Sequence, residues 1–125
     1  MRLRKLSVFL SALVLSVALL AQSVIATEPG LVTPEQGRAM VQEKEGLVIL
    51  DVRNRNEYVV DHYAGSLNIP VNELEARIAE VPADKPVVVH CFKGIRAKRA
   101  YEILKEKRPD IKELYYIGGG EILFR

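Results

Sequence analysis

Two uninterrupted apolar runs, Leu47-Val48-Ile49-Leu50 and Val87-Val88-Val89, constrain the fold of this chain more than any other feature. Neither alternates between apolar and polar residues. Each therefore reads as a strand covered on both faces, the pattern of a parallel sheet packed between helices. The first run ends in Asp51, and the second, through His90, delivers Cys91 at its carboxyl end.

The segments around these runs read as helices and shorter strands. Thr33 can cap a helix, Pro34 fits its first position and Gln36 can complete a capping box, so a helix is expected over residues 34–44, with Gly46 ending it. A short helix is expected over 54–62, and a short strand over 66–69 that Pro70 stops. Leu74, Ile78 and Val81 then mark a helix between two prolines. After Cys91 a glycine-containing loop leads into a helix over 97–107, with Ala97, Ala100, Tyr101 and Leu104 on its buried side and Arg108-Pro109 stopping it. Leu114-Tyr115-Tyr116-Ile117 is a last strand before three glycines. Strands alternating with helices mean an α/β fold, a small central parallel sheet with helices on both faces.

Residues 1–26 read as a signal peptide and 27–125 as the single folded domain. Arg2, Arg4 and Lys5 form a positive start, an apolar stretch follows, and Val24-Ile25-Ala26 offers small residues for cleavage before Thr27. An uncleaved membrane anchor is the alternative, although the apolar run falls just short of a bilayer span. A cleaved leader implies a periplasmic or secreted protein with no stable membrane association. It also takes three of the 18 basic residues and none of the 16 acids, leaving 15 against 16. A near-neutral domain gives no reason to expect a nucleic-acid partner. The chain has one cysteine, so it forms no internal disulfide, and an exported lone thiol must be either buried or used.

Cys91 stands where a parallel sheet binds ligands, at a strand's carboxyl end and just before a helix. Amides of the tight loop Phe92, Lys93, Gly94, Ile95 and Arg96 can point at its sulfur, and a helix amino terminus with nearby cations favours the reactive thiolate. Gly94 allows the backbone to turn. Lys93 and Arg96 are candidates to hold an anionic donor, Arg96 through its planar fork, yet a cation at a helix amino terminus opposes the dipole and asks for a reason. The competing reading of Cys91 is a buried core cysteine. Asp51 and Arg53 read as structural supports: the carboxylate caps the turn after its strand, and Arg53 forms a helix-spaced ion pair with Glu57. His62 and His90 read as packing residues, and two histidines with one cysteine lack the spacing of a metal site.

These residues resemble the rhodanese homology domain from about Thr33 to Phe124. Asp51-Val52-Arg53 with Glu57-Tyr58 is similar to its first signature, and His62-Tyr63-Ala64-Gly65-Ser66-Leu67-Asn68-Ile69-Pro70 to its second. Val89-His90-Cys91-Phe92-Lys93-Gly94-Ile95-Arg96-Ala97 is similar to the active-site loop, and Gly119-Gly120 to the closing glycine pair. The sequence departs from the family pattern at Asp61, Tyr63, Glu121 and Phe124. The resemblance implies a sulfurtransferase that moves sulfane sulfur from a donor such as thiosulfate or a persulfide, through a persulfide on Cys91, to cyanide or a thiol. It implies no metal or organic cofactor, residues 92–96 as the donor-binding loop, and a thioredoxin-like protein as a candidate partner.

Three other functions compete. His-Cys, a short loop and an arginine also resemble the signature of cysteine phosphatases and arsenate reductases. However, four residues lie between Cys91 and Arg96, one fewer than that signature uses. A binding module of the same fold often lacks the cysteine, which is retained here. A persulfide carrier with slow turnover on small molecules would keep it.

Overall fold

The computed structural model describes residues 28–119. The leader, its cleavage site, Gly120, Glu121 and Phe124 lie outside the described residues.

In chain order the elements are β1 (Gly30–Val32), α1 (Pro34–Glu43), β2 (Val48–Asp51), α2 (Arg55–Val60), β3 (Leu67–Asn68), β4 (Val87–His90), α3 (Ile95–Lys107) and β5 (Leu114–Ile117). The strands form one sheet in the order β1-β5-β4-β2-β3, and every pairing is parallel. β4 lies at the centre, and all four of its residues are buried, as its unbroken apolar run requires.

Side chains alternate between two cores, as the two-residue period of a strand dictates. Val87 and Val89 join Leu50 and Leu114 on the side where Ala97, Ala100 and Leu104 of α3 pack. Val88 joins Tyr115 and Ile117 on the other side, where Met40 of α1 packs. Thus the sheet carries helices on both faces. α1 starts as expected: Gln36 N–H donates to Thr33 Oγ1 at 3.2 Å, and Thr33 N–H donates to Gln36 Oε1 at 2.8 Å.

Three elements differ from the sequence reading. β1 was not expected, being three residues long with a glycine and only Val32 as a clearly buried apolar side chain. It exists because β5 offers it an edge, in the register Gly30 to Tyr115 and Val32 to Ile117. The segment expected as a helix between Pro70 and Pro82 is instead a series of turns ending in a 3₁₀ turn, Ile78–Glu80. Here the Arg108 guanidinium donates to Ile78 O at 2.7 Å and Val81 O at 2.8 Å, so a side chain supplies the donors that another helical turn would provide. Finally, α3 starts at Ile95, two residues before the expected Ala97.

Leu104 seats the carboxyl half of α3 and is fully buried. Leu104→Ala is expected to destabilise the protein by about 2–5 kcal/mol, measured as a lower urea midpoint with an unchanged slope.

Candidate active site

The chain leaves β2 toward β3 on one side of the sheet and β4 toward β5 on the other. Ligands of open parallel sheets bind in the crevice where the winding reverses, at the strands' carboxyl ends. Asp51 ends β2, Cys91 follows β4, and these two strands are hydrogen-bonded neighbours with Asp51 opposite His90. The polar signals of the sequence therefore converge on one crevice.

The alternation that turns Val87 and Val89 toward α3 turns Cys91 the same way, and the residue is only 2% exposed. Its Sγ receives the Gly94 N–H at 3.0 Å and the Ala97 N–H at 3.3 Å. Gly94 caps α3 but has no side chain to accept from the first turn. The thiol of Cys91 takes that role, which is why the helix starts at Ile95. Donors aimed at the sulfur, with the positive end of a helix dipole behind them, stabilise negative charge there.

Gly94 adopts φ 87°, in the left-handed region, and a Cβ there would lie 2.6 Å from Gly119 N and 2.9 Å from Gly118 C. The backbone after β5 thus presses directly on the loop. Phe92, Lys93 and Ile95 are exposed, Ile95 by 75%, and form the outer rim.

Arg96 is placed differently from the expected open anion clamp. Its Nη1 donates to Glu57 Oε2 at 2.6 Å and its Nη2 to Glu57 Oε1 at 3.0 Å. This carboxylate from α2 explains how a cation sits in the first turn of α3. The Arg96 hydrogen bond holds the Glu57 carboxyl below the usual carboxylate range, and the same bond raises Arg96. No local pattern signals this pair, whose members are 39 residues apart.

The salt bridge of Arg53 is made to Asp51 rather than to the expected Glu57, which Arg53 influences only through space. Arg53 precedes α2, so helical spacing does not apply to it, and it is buried beside an equally buried carboxylate. Its Nη2 donates to Asp51 Oδ2 at 2.7 Å and to Asp61 O at 2.7 Å. The Arg53 backbone N–H donates to Asp51 Oδ1 at 3.0 Å, which is the expected capping of the turn. Asn68, not singled out in the sequence, donates through Nδ2 to Asp51 O at 3.0 Å and Arg53 O at 2.9 Å. Asp51 and Arg53 therefore tie β2, α2 and β3 together beneath the crevice. His62 packs as expected, its ring stacked on Tyr58 at 3.9 Å.

His90 lies on the opposite face from Cys91, edge-on to Tyr63. Burial lowers its pKa to about 4; Arg53 and Arg96 push the same way, and Asp51 opposes them.

Fold and site together define a parallel α/β domain whose one thiol sits in an amide-lined loop at the winding reversal. Comparison with protein families matches residues 33–120 to the rhodanese-like domain, and the chain belongs to that family. It is 34% identical over 88 residues to the YqhL protein of Bacillus subtilis, covering 70% of this chain and 66% of that protein. It is 31% identical over 94 residues to the thiosulfate sulfurtransferase GlpE of Stutzerimonas stutzeri, covering 75% of this chain and 83% of that one. The crystal structure of the Saccharomyces cerevisiae single-domain sulfurtransferase RDL2 superposes with a TM-score of 0.58 at 26% identity, covering 78% of this chain and 89% of that one.

Two measurements probe this geometry. Gly94→Ala forces a side chain into left-handed backbone and against Gly119, so stability should fall by about 2 kcal/mol or more in urea unfolding; an unchanged midpoint would contradict the close approach. For His90, the unfolded chain takes up a proton near pH 6.5, while the folded protein refuses it until about pH 4. Stability should therefore fall as pH drops through that window, by up to about 1.4 kcal/mol per unit. His90→Gln should remove most of that slope, as read from urea midpoints at pH 7 and pH 5.

Proposed function

We propose that the protein is an exported thiosulfate sulfurtransferase in which Cys91 carries sulfane sulfur as a persulfide. The observation that carries this reading is the pair of N–H groups from Gly94 and Ala97 directed at Cys91 Sγ. Such donors complement negative charge on a sulfur, and they suit the persulfide anion that follows.

In the first step the Cys91 thiolate attacks the outer sulfur of thiosulfate. A bond forms between that sulfur and Sγ, and its bond to the sulfonate sulfur breaks, releasing sulfite with the electron pair. In the second step cyanide or a thiolate attacks the terminal sulfur of the persulfide. The acceptor leaves as thiocyanate or as a new persulfide, and Cys91 is regenerated as thiolate. Neither step needs an external oxidant, a metal or an organic cofactor.

In this reading the amides of the loop, residues 92–96, surround the transferred sulfur. Lys93, at the exposed rim, meets an anionic donor, and Arg96 borders its path. Asp51 and Arg53 support the loop from beneath. The name of the GlpE relative and that of the yeast sulfurtransferase support the assignment. The charged start, apolar stretch and small-residue site of residues 1–26 support export to the periplasm or beyond, and a thioredoxin-like protein fits the role of thiol acceptor.

Intact-mass spectrometry after treatment with thiosulfate tests the assignment. The expected result is one added sulfur atom that Cys91→Ser abolishes, together with no hydrolysis of p-nitrophenyl phosphate. Absence of the adduct from the unaltered protein, with thiosulfate and with methanethiosulfonate alike, would remove the sulfurtransferase reading.

A further inference from the structure

We propose that Glu57 sets the charge of the sulfur donor that this site accepts, by filling the Arg96 fork that an oxyanion would otherwise take. This inference rests on the sulfurtransferase reading and concerns which donors reach the sulfur.

Arg96 immediately precedes Ala97, whose N–H donates to Cys91 Sγ, and its guanidinium lies within electrostatic reach of that thiol. Both terminal nitrogens are turned to Glu57, at 2.6 and 3.0 Å. That is the geometry in which a guanidinium grips two oxygens of a sulfonate or sulfate. A resident carboxylate has two effects on an incoming anion. It occupies the paired donors, leaving only Nε–H and the outer hydrogens of the terminal nitrogens. It also cancels the positive charge, so a dianion gains little by approaching.

Glu57 is held in this position from its own side as well. Its Oε2 accepts the Asn54 N–H at 3.0 Å, which anchors it in the first turn of α2. The two side chains are 32% and 38% exposed, so the pair lies at the surface, where a donor arrives. The chief hydrogen bond lowering the Glu57 carboxyl keeps it ionised at neutral pH. The site accordingly takes thiosulfate with a raised KM and favours donors that carry less negative charge beside the sulfane sulfur, such as thiosulfonates.

Thiosulfate and methanethiosulfonate test this directly, because each passes its outer sulfur to a thiolate and releases sulfite or methanesulfinate, yet they differ by one charge. Glu57→Gln removes the carboxylate charge and keeps an oxygen for the Asn54 N–H. It is expected to lower KM for thiosulfate about fivefold with kcat within about twofold, and to change methanethiosulfonate less. Glu57→Asp, which draws the carboxylate back by one methylene, should shift the ratio of the two donors in the same direction by a smaller factor. An unchanged ratio in both variants, or a higher KM for thiosulfate, overturns the proposal. The mass of the unaltered protein separates the two levels: no added sulfur from either donor defeats the sulfurtransferase reading and this inference with it, whereas added sulfur with an unmoved ratio defeats this inference alone.

Discussion

The contact between Cys91 Sγ and the N–H groups of Gly94 and Ala97 dictates the geometry around the carboxyl end of β4. For the sulfur to receive both donors, the chain must turn back within three residues of it, which places Gly94 in left-handed backbone. Without a Cβ at that point, the backbone of Gly118 and Gly119 closes onto the loop. The helix that begins there is held in register by Ala97, Ala100 and Leu104, which are small near the loop and larger farther along. Small residues in the first turns bring the helix axis close to the sheet, so its terminal N–H groups reach a side chain rooted in the strand. Packing and chemistry are thus set by the same residues.

A second layer lies beneath the first. Asp51 and Arg53 form a buried ion pair that is also tied to the backbone around it: the Arg53 guanidinium donates to Asp61 O, Asp51 Oδ1 accepts the Arg53 N–H, and the main-chain carbonyls of both residues accept from the Asn68 side chain. Buried charges without such partners would be costly, and losing one member of such a pair typically costs about 3–5 kcal/mol. The arrangement fixes both ends of α2 relative to β2. α2 in turn carries Glu57, and Glu57 holds Arg96 in the first turn of α3. Contacts therefore run without a gap from the end of one central strand to the helix that follows the other.

The strands of the interior were legible because burial on both faces leaves a trace, complete at residues 87–89 and partial at residues 47–50, where Leu50 is buried and its three predecessors are half-buried. The thiol was legible too, since a strand end, a loop glycine and a helix start fall together in a few residues around Cys91. What the sequence concealed was every feature decided by a distant partner. β1 depends on an edge provided by β5 some 85 residues later. The 3₁₀ turn depends on Arg108, and the fate of Arg96 depends on Glu57. Arg53 bridges Asp51 rather than Glu57 because helical spacing does not govern a residue just outside the helix, where burial rather than periodicity chooses the partner.

His90 and Cys91 are adjacent in sequence and, by strand alternation, face opposite sides of the sheet. One core takes an imidazole held neutral at ordinary pH by its burial, and the other takes a sulfur met by N–H donors. The imidazole next in sequence is therefore turned away from the thiol and is not its base. Sulfane sulfur exchange makes no such demand: thiolate, persulfide, sulfite and acceptor are all anions, and sulfur passes between them without a proton in transit. A site that spends its polar groups on holding negative charge, and keeps its histidine for packing, matches the requirements of that exchange more closely than those of a hydrolysis, in which a leaving group must be protonated.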